Sequence, residues 1–380
     1  MTNYCKNLWA KFSELREAQA QAEAGFGSAK GGELAPLRES IGKIEVALDA
    51  AKKTWVESVV PFYGRELFGL HAQAIEQFVK DNNLRDDFYQ SFFAFFIIED
   101  QVVSKFSGAG LSRFHLGNPN LRSLAQIQTL KSFDWPTARM TDLRALTSSK
   151  KLEQIYIPDC TELESLDFVV DLPKLNNLNI ENCDKILDFT PLAGVKFQVL
   201  SLTGTKFTDP SVLENSLEQL AGLEISNTDI ADLNFLLRFP KLEYLGAGNL
   251  SADLSILARL TNLRGLELPD CQLEDYPFLR SLTNLEAIRL KGSKIKSLDS
   301  LQNCTKLQQL DISNTEISDI SPVSYLPISN LSINMTDITD LAPLLSMKSL
   351  ETIFCHNCNF SDENEKILQT LRTRNVSIYQ

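Results

Sequence analysis

From Leu152 to the C-terminus the chain repeats one arrangement of apolar and polar positions about every 22 residues. The copy LQQLDISNTEISDISPVSYLP, Leu307 to Pro327, shows it most clearly. Its skeleton is LxxLxLxx, then Asn, Thr or Cys, then a polar-apolar alternation, a frequent Pro and a further apolar cluster. The set predicted to face inward is Leu307, Leu310, Ile312, Thr315, Ile317, Ile320, Val323 and Leu326. The LxLxx segment alternates with period two, so it predicts a short strand with one buried face. Leu310 and Ile312 point in, while Gln309, Asp311 and Ser313 point out. At the ninth position a small polar residue, here Thr315, is expected to satisfy backbone carbonyls inside a sharp turn. The Pro and the apolar residues after it form a return arm. One unit cannot bury its own apolar face, so units must stack and share a core.

The first positions are Leu152, Leu175, Phe197, Leu220, Leu242, Leu263, Leu285, Leu307, Ile328 and Leu350, giving ten copies spaced 21 to 23 residues apart. Leu130 with Phe133 suggests a degenerate eleventh.

The whole region resembles the leucine-rich repeat family. TDLAPLLSM from Thr339 to Met347 and SDISPVSYL from Ser318 to Leu326 are similar to the internalin-type 22-residue class of bacteria. The resemblance implies an α/β fold: a curved solenoid with parallel strands on its concave side and short helical or extended turns on its convex side. It covers roughly two-thirds of the chain, is specific for fold, and says almost nothing about activity. The first 120 residues depart from the family. No signal peptide or cell-wall anchor motif is visible, so the surface-anchored role of some relatives is not carried over.

The expected organisation is an all-helical N-terminal domain over residues 1–120, the solenoid over 121–360 and a C-terminal cap over 361–380. Four helices are predicted in the first part: Asn3 to Ala24, Leu34 to Val60, Glu66 to Asp81, and Arg85 to Phe106. The glycine-rich stretch Gly25 to Gly32 reads as a linker, since it lacks a P-loop Lys-Ser/Thr ending. The fourth helix carries Phe88, Phe92, Phe95, Phe96, Val102, Val103 and Phe106, and Phe93, Ile97 and Ile98 extend its apolar surface almost all round. Such a helix suits a lid over the raw core of the first coil. The competing expectation is an enzyme or effector module in this domain, targeted by the repeats. Ser107 to Asn120 reads as a junction. At the other end Ser361 or Asp362 caps a helix ending near Arg374, followed by a strand from Val376 to Tyr379.

Charge narrows the partners. The sequence has 49 acidic and 37 basic residues, a formal net charge of −12. Neither part is basic: residues 1–120 have 13 basic and 15 acidic, the rest 24 and 34. Nucleic acid and an acidic membrane surface are therefore disfavoured. The longest apolar run, Phe92 to Ile98, is too short to span a bilayer. A cytoplasmic, monomeric chain is expected, with export by a non-classical route left open. Of seven cysteines, Cys160, Cys183, Cys271 and Cys358 fall at the ninth repeat position and Cys355 at an inward strand position. Cys160 and Cys183 stack in adjacent coils, where a disulfide is conceivable, but buried thiols are the commoner outcome in a reducing compartment.

Catalytic signals are sparse. His71, His115 and His356 have no Cys or Ser nucleophile at a recognised spacing. In Cys355-His356-Asn357-Cys358 the register turns both cysteines inward and the histidine outward, which does not make a zinc site. Glu99 and Asp100 end an apolar run and read as a solvated break; Asp86 and Asp87 suit a helix N-terminus. The expectation is no enzyme activity, no metal and no cofactor. The candidate site is the concave strand face, binding a protein. Its central column supplies Tyr156, Asn179, Glu224, Glu267, Arg289, Asp311 and Phe354, and the neighbouring column Tyr244, as the candidate protein-binding residues.

Overall fold

A computed structural model of the 380-residue chain describes residues 43, 47, 72–82, 96–99, 102–107, 119–137, 139–358 and 360–380. The first predicted helix, the glycine-rich linker, the beginning of the fourth helix and most of the junction lie outside the described residues. Two compact units are present: residues 1–155 with 171–174, and residues 156–170 with 175–380.

In the first unit, helix α1 spans Ala72–Asp81, within the third predicted helix. Lys43 and Ala47, on the second, are also helical. The fourth helix is not formed over its second half. Strands β1, Phe96–Glu99, and β2, Val102–Ser107, make an antiparallel hairpin instead. The physical reason is in the composition. Phe96, Ile97, Ile98, Val102 and Val103 are β-branched or aromatic, and an apolar run without a polar face also describes a strand covered on both sides. Strand β2 then pairs in parallel with β3, Ser132–Asp134, matching Phe106 to Phe133. Leu130 and Phe133 are fully buried, so the degenerate eleventh copy is a genuine coil. Helix α1 lays Phe78 against Trp135, edge to face at 6.4 Å. Asn82 Nδ2 donates to the carbonyls of Phe78 and Asn120, and its Oδ1 accepts from Asn120 N, which ties the end of the helix to the start of the repeats.

Strand β4, Gln154–Tyr156, lies where the two units meet in sequence. In the second unit ten strands follow in parallel order. They are β5 Asn177–Asn179, β6 Val199–Ser201, β7 Gly222–Glu224, β8 Tyr244–Gly246, β9 Gly265–Glu267, β10 Ala287–Arg289, β11 Gln309–Asp311, β12 Asn330–Ser332, β13 Thr352–Phe354 and β14 Ser377–Tyr379. Each pair is in register, so Leu178, Leu200, Leu223, Leu245, Leu266, Ile288, Leu310, Leu331 and Ile353 form one inward row. All eight residues predicted to face inward in the Leu307 copy are buried.

The turn after each strand has two parts. At the eighth position of all ten coils the backbone is left-handed: Asp159, Asn182, Gly204, Asn227, Asn249, Asp270, Gly292, Asn314, Met335 and Asn357 have φ between 50° and 72°. Asn, Asp and Gly tolerate that region best. The conformation turns the N–H toward the next coil, as in Asn182 N donating to Thr203 O at 2.8 Å and Asn314 N to Asn334 O at 2.7 Å. At the ninth position the hydroxyl closes the turn: Thr205, Thr228, Thr315 and Thr336 donate to the carbonyls three residues before them at 2.6 to 2.8 Å. Cysteine at this position reaches instead to the preceding coil, Cys183 Sγ to Ile157 O and Cys358 Sγ to Ile333 O.

Return arms carry 3-10 turns such as Asn234–Arg238 and Ala342–Ser346. An aspartate accepts the backbone N–H two residues after it, at the start of the turn: Asp188 from Thr190, Asp209 from Ser211, Asp232 from Asn234, Asp319 from Ser321 and Asp340 from Ala342. Helix α2, Asp362–Thr373, closes the chain with Ser361 as its N-cap, and Asn375 ends it at φ 64°.

Candidate functional site

The outward face of strands β4 to β14 is a set of columns fixed by the period-two alternation. The structure places all eight sequence-predicted residues on it. They fall into a central cluster and two ends.

Tyr244, Glu267 and Arg289 come together on β8, β9 and β10. The Tyr244 hydroxyl donates to Glu267 Oε1, Arg289 Nη1 pairs with the same oxygen, and that guanidinium nitrogen donates to Tyr244 Oη at 3.3 Å. The ring of Tyr244 lies across Gly265, where a Cβ would fall 2.4 Å from its Cδ2. Only a residue without a side chain leaves room for it. Burial, then the bond to Glu267, push the phenol above its ordinary range, so Tyr244 stays a neutral donor.

Glu224 sits beside this clamp. Ser201 Oγ donates to its Oε2 at 3.4 Å. Glu181, two residues beyond Asn179 on its coil, also faces out. Desolvation raises both carboxyls above the usual range. For Glu181 the charges of Asp159 and Glu267 add to it, and for Glu224 those of Glu267 and Glu181. Neither carboxylate has an ion pair among the described residues. Ser201, on the coil between them, and Gly246 and Gly248, on the coil after Glu224, are buried, so the floor there is low.

The remaining residues do not join the cluster. Tyr156 is 46% exposed at one end. Asn179 Oδ1 accepts from Glu181 N at 3.1 Å, and Asp311 Oδ1 from Ser313 N at 2.9 Å, so both shape their own turns. Phe354 stacks on Tyr379 at 4.9 Å and 14°, and Tyr379 is 47% exposed. Sequence reasoning missed Glu181 and Tyr379 as members of this face. Both were legible from the register: Glu181 holds the seventh position of its coil, and Tyr379 follows Phe354 as the next outward residue in the column.

Around Cys355 the predicted divergence is observed. Cys355 Sγ is held at Tyr379 O, Cys358 Sγ at Ile333 O, and His356 is exposed. Among the described residues no group of three or more His, Cys, Asp or Glu could hold a metal ion. Cys160 and Cys183 are both buried and are not joined in a disulfide. No helix among the described residues is long and apolar enough to cross a membrane.

Comparison with known proteins bears on the fold. A sequence profile of leucine-rich repeats, two copies, matches residues 283–325. No curated protein sequence matches the chain. Among solved structures, an internalin from Listeria monocytogenes aligns over 80% of this chain and 90% of its own, with 22% identity and a TM-score of 0.54. A leucine-rich repeat protein of Leptospira interrogans aligns over 68% and 80%, with 17% identity and a TM-score of 0.46. Two leucine-rich repeats are recognised at residues 283–325, the register and the parallel strand ladder continue that repeat through the neighbouring coils, and the fold is a leucine-rich repeat solenoid similar to that of the internalin structure.

Proposed function

We propose that the chain is a non-enzymatic scaffold that binds a protein on its strand face. The observation that carries this reading is the group of large side chains displayed on a hydrogen-bonded strand ladder: Tyr156, Tyr244, Phe354 and Tyr379, with Arg289 clamped beside Tyr244. Aromatic and arginine side chains are the residue types that dominate protein interfaces. Their backbone is already fixed by the ladder, and several side chains are fixed by each other, so little freedom is lost on binding. A reducing, cytoplasmic setting fits the six described cysteines, none of which is in a disulfide.

The test is affinity capture with the wild type beside Tyr156→Ala/Tyr244→Ala/Arg289→Glu, folded by circular dichroism. A partner held by the wild type and lost by the variant is the expected result. A partner held equally by both overturns the strand face as its site.

A further inference from the structure

Cys160 and Cys183 hold the ninth position of adjacent coils, and both are fully buried. The two coils are laced together around them. Ile157 N donates to Asn179 O at 2.9 Å, Asp159 N to Glu181 O at 2.7 Å, and Asn182 Nδ2 to Asp159 Oδ1 at 2.8 Å. Coils in register about 4.8 Å apart hold equivalent Cα atoms within the roughly 4.4–6.8 Å that a disulfide spans. The side chains also converge. Cys183 Sγ donates to Ile157 O at 3.5 Å. That carbonyl lies three residues before Cys160, the place where the ninth-position hydroxyl makes its bond in the threonine coils. The Cys183 sulfur therefore sits inside the turn that Cys160 closes. Cys358 reaches back in the same way, to Ile333 O, but the turn it enters belongs to Thr336. Among the ninth positions of the ten coils, only 160 and 183 are cysteines in adjacent coils.

We propose that Cys160 and Cys183 form a redox-sensitive staple, open as two thiols in a reducing setting and closed as a disulfide when the chain meets an oxidising one. The oxidant is a low-molecular-weight disulfide such as oxidised glutathione. One cysteine loses its proton and attacks the oxidant, which releases one half as a thiol and leaves a mixed disulfide. The second cysteine then attacks that bond, releases the other half and forms the Sγ–Sγ bond. Two protein thiols are oxidised, one small disulfide is reduced to two thiols, and the two protons pass to the released halves. The neighbouring Cys160 thiol, and then burial, push the Cys183 thiol above its ordinary range. The attacking species is the thiolate, so the pair reacts through opening of the turn and not in the closed coil. The staple therefore answers sustained oxidation and ignores a brief pulse. Once closed, it joins the coils whose strands carry Tyr156 and Asn179 and restrains the unfolded segment between the two cysteines.

The experiment incubates the full chain with oxidised glutathione under native conditions, alkylates the remaining thiols and maps tryptic peptides without reduction. Lys174 separates the two cysteines, which fall on peptides 152–174 and 175–185. Expected is one linked species of these two peptides, two hydrogens lighter than their sum. The thermal midpoint should rise by about 5 °C and return on reduction. Cys160→Ser and Cys183→Ser should each abolish both the linked species and the rise, while Cys271→Ser should keep both, each measured against its own reduced form. Recovery of the two peptides alkylated or as glutathione adducts, linkage of either to a different cysteine, or linkage only in denaturant overturns the proposal. A linked chain whose midpoint is unchanged or lowered overturns it as well.

Discussion

At the scale of single residues, the eighth repeat position sets the strongest local requirement. Met335 holds it with φ 53° and a side chain 48% exposed, the only coil of the ten without Asn, Asp or Gly there. Left-handed backbone opposes a Cβ that has no compensating hydrogen bond, so Met335→Gly should stabilise the protein by about 1 kcal/mol in chemical denaturation. A midpoint unchanged or lowered would mean that the turn is not strained by methionine. Leu310→Ala should cost about 2–5 kcal/mol, because Leu310 is buried in the inward row and its removal leaves a cavity. Asp311→Ala, one residue on, should cost about 1 kcal/mol or less, the value of its bond to Ser313 N. Comparable costs for the two would contradict the register. These residues differ in how plainly the sequence announces them. The inward leucines are explicit, and the ninth-position hydroxyls were expected to serve carbonyls. The left-handed position was overlooked, although its column of Asn, Asp and Gly stands directly before Thr, Cys and Ser in most coils.

At the scale of elements, strands and turns follow from periodicity, and the terminal elements follow from capping. Helix α2 and strand β14 lie where Ser361, Asp362 and the Val376 to Tyr379 run place them. Ser361→Ala should lower stability by about 1 kcal/mol, since its Oγ accepts Asn364 N at 3.3 Å. Asn364 is itself buried and bonded to Thr339 O and Leu341 N, so loss of the cap should be felt in the last coil as faster amide exchange there. Exchange accelerated only within α2 would contradict that coupling. The hairpin of β1 and β2 was illegible for a definite reason. An all-round apolar run of this length satisfies a buried helix and a covered strand equally, and the deciding fact, pairing of Phe106 with Phe133, is not local. The clamp of Tyr244, Glu267 and Arg289 was half legible. Its members were each predicted to face out, but their meeting depends on Gly265 leaving space for the Tyr244 ring, which the repeat pattern does not encode.

At the scale of the whole molecule, two sets of carboxyls make opposite contributions to pH dependence. Asp142, Asp188, Asp209, Asp253 and Asp319 are held below the usual range by hydrogen bonds from the turn residues that follow them. Their stabilisation is present above the unfolded carboxyl range and is lost as pH falls through their lowered folded values. Glu181 and Glu224 are raised, so they oppose folding at neutral pH, and that opposition is relieved as pH falls through their raised folded values. Thermal midpoints should therefore hold or rise slightly on acidification from neutrality, then fall steeply below about pH 4. Glu181→Gln/Glu224→Gln should raise the midpoint at pH 7, and a lowered midpoint would show that these carboxylates support the fold. The face that carries them is where the account places its partner, and hydroxyl-radical footprinting of the captured complex tests that placement most directly. Protection is expected at Tyr156, Tyr244, Phe354 and Tyr379, and none at Tyr325, which is 62% exposed on a return arm. Protection of Tyr325 with the strand-face aromatics left open would contradict it.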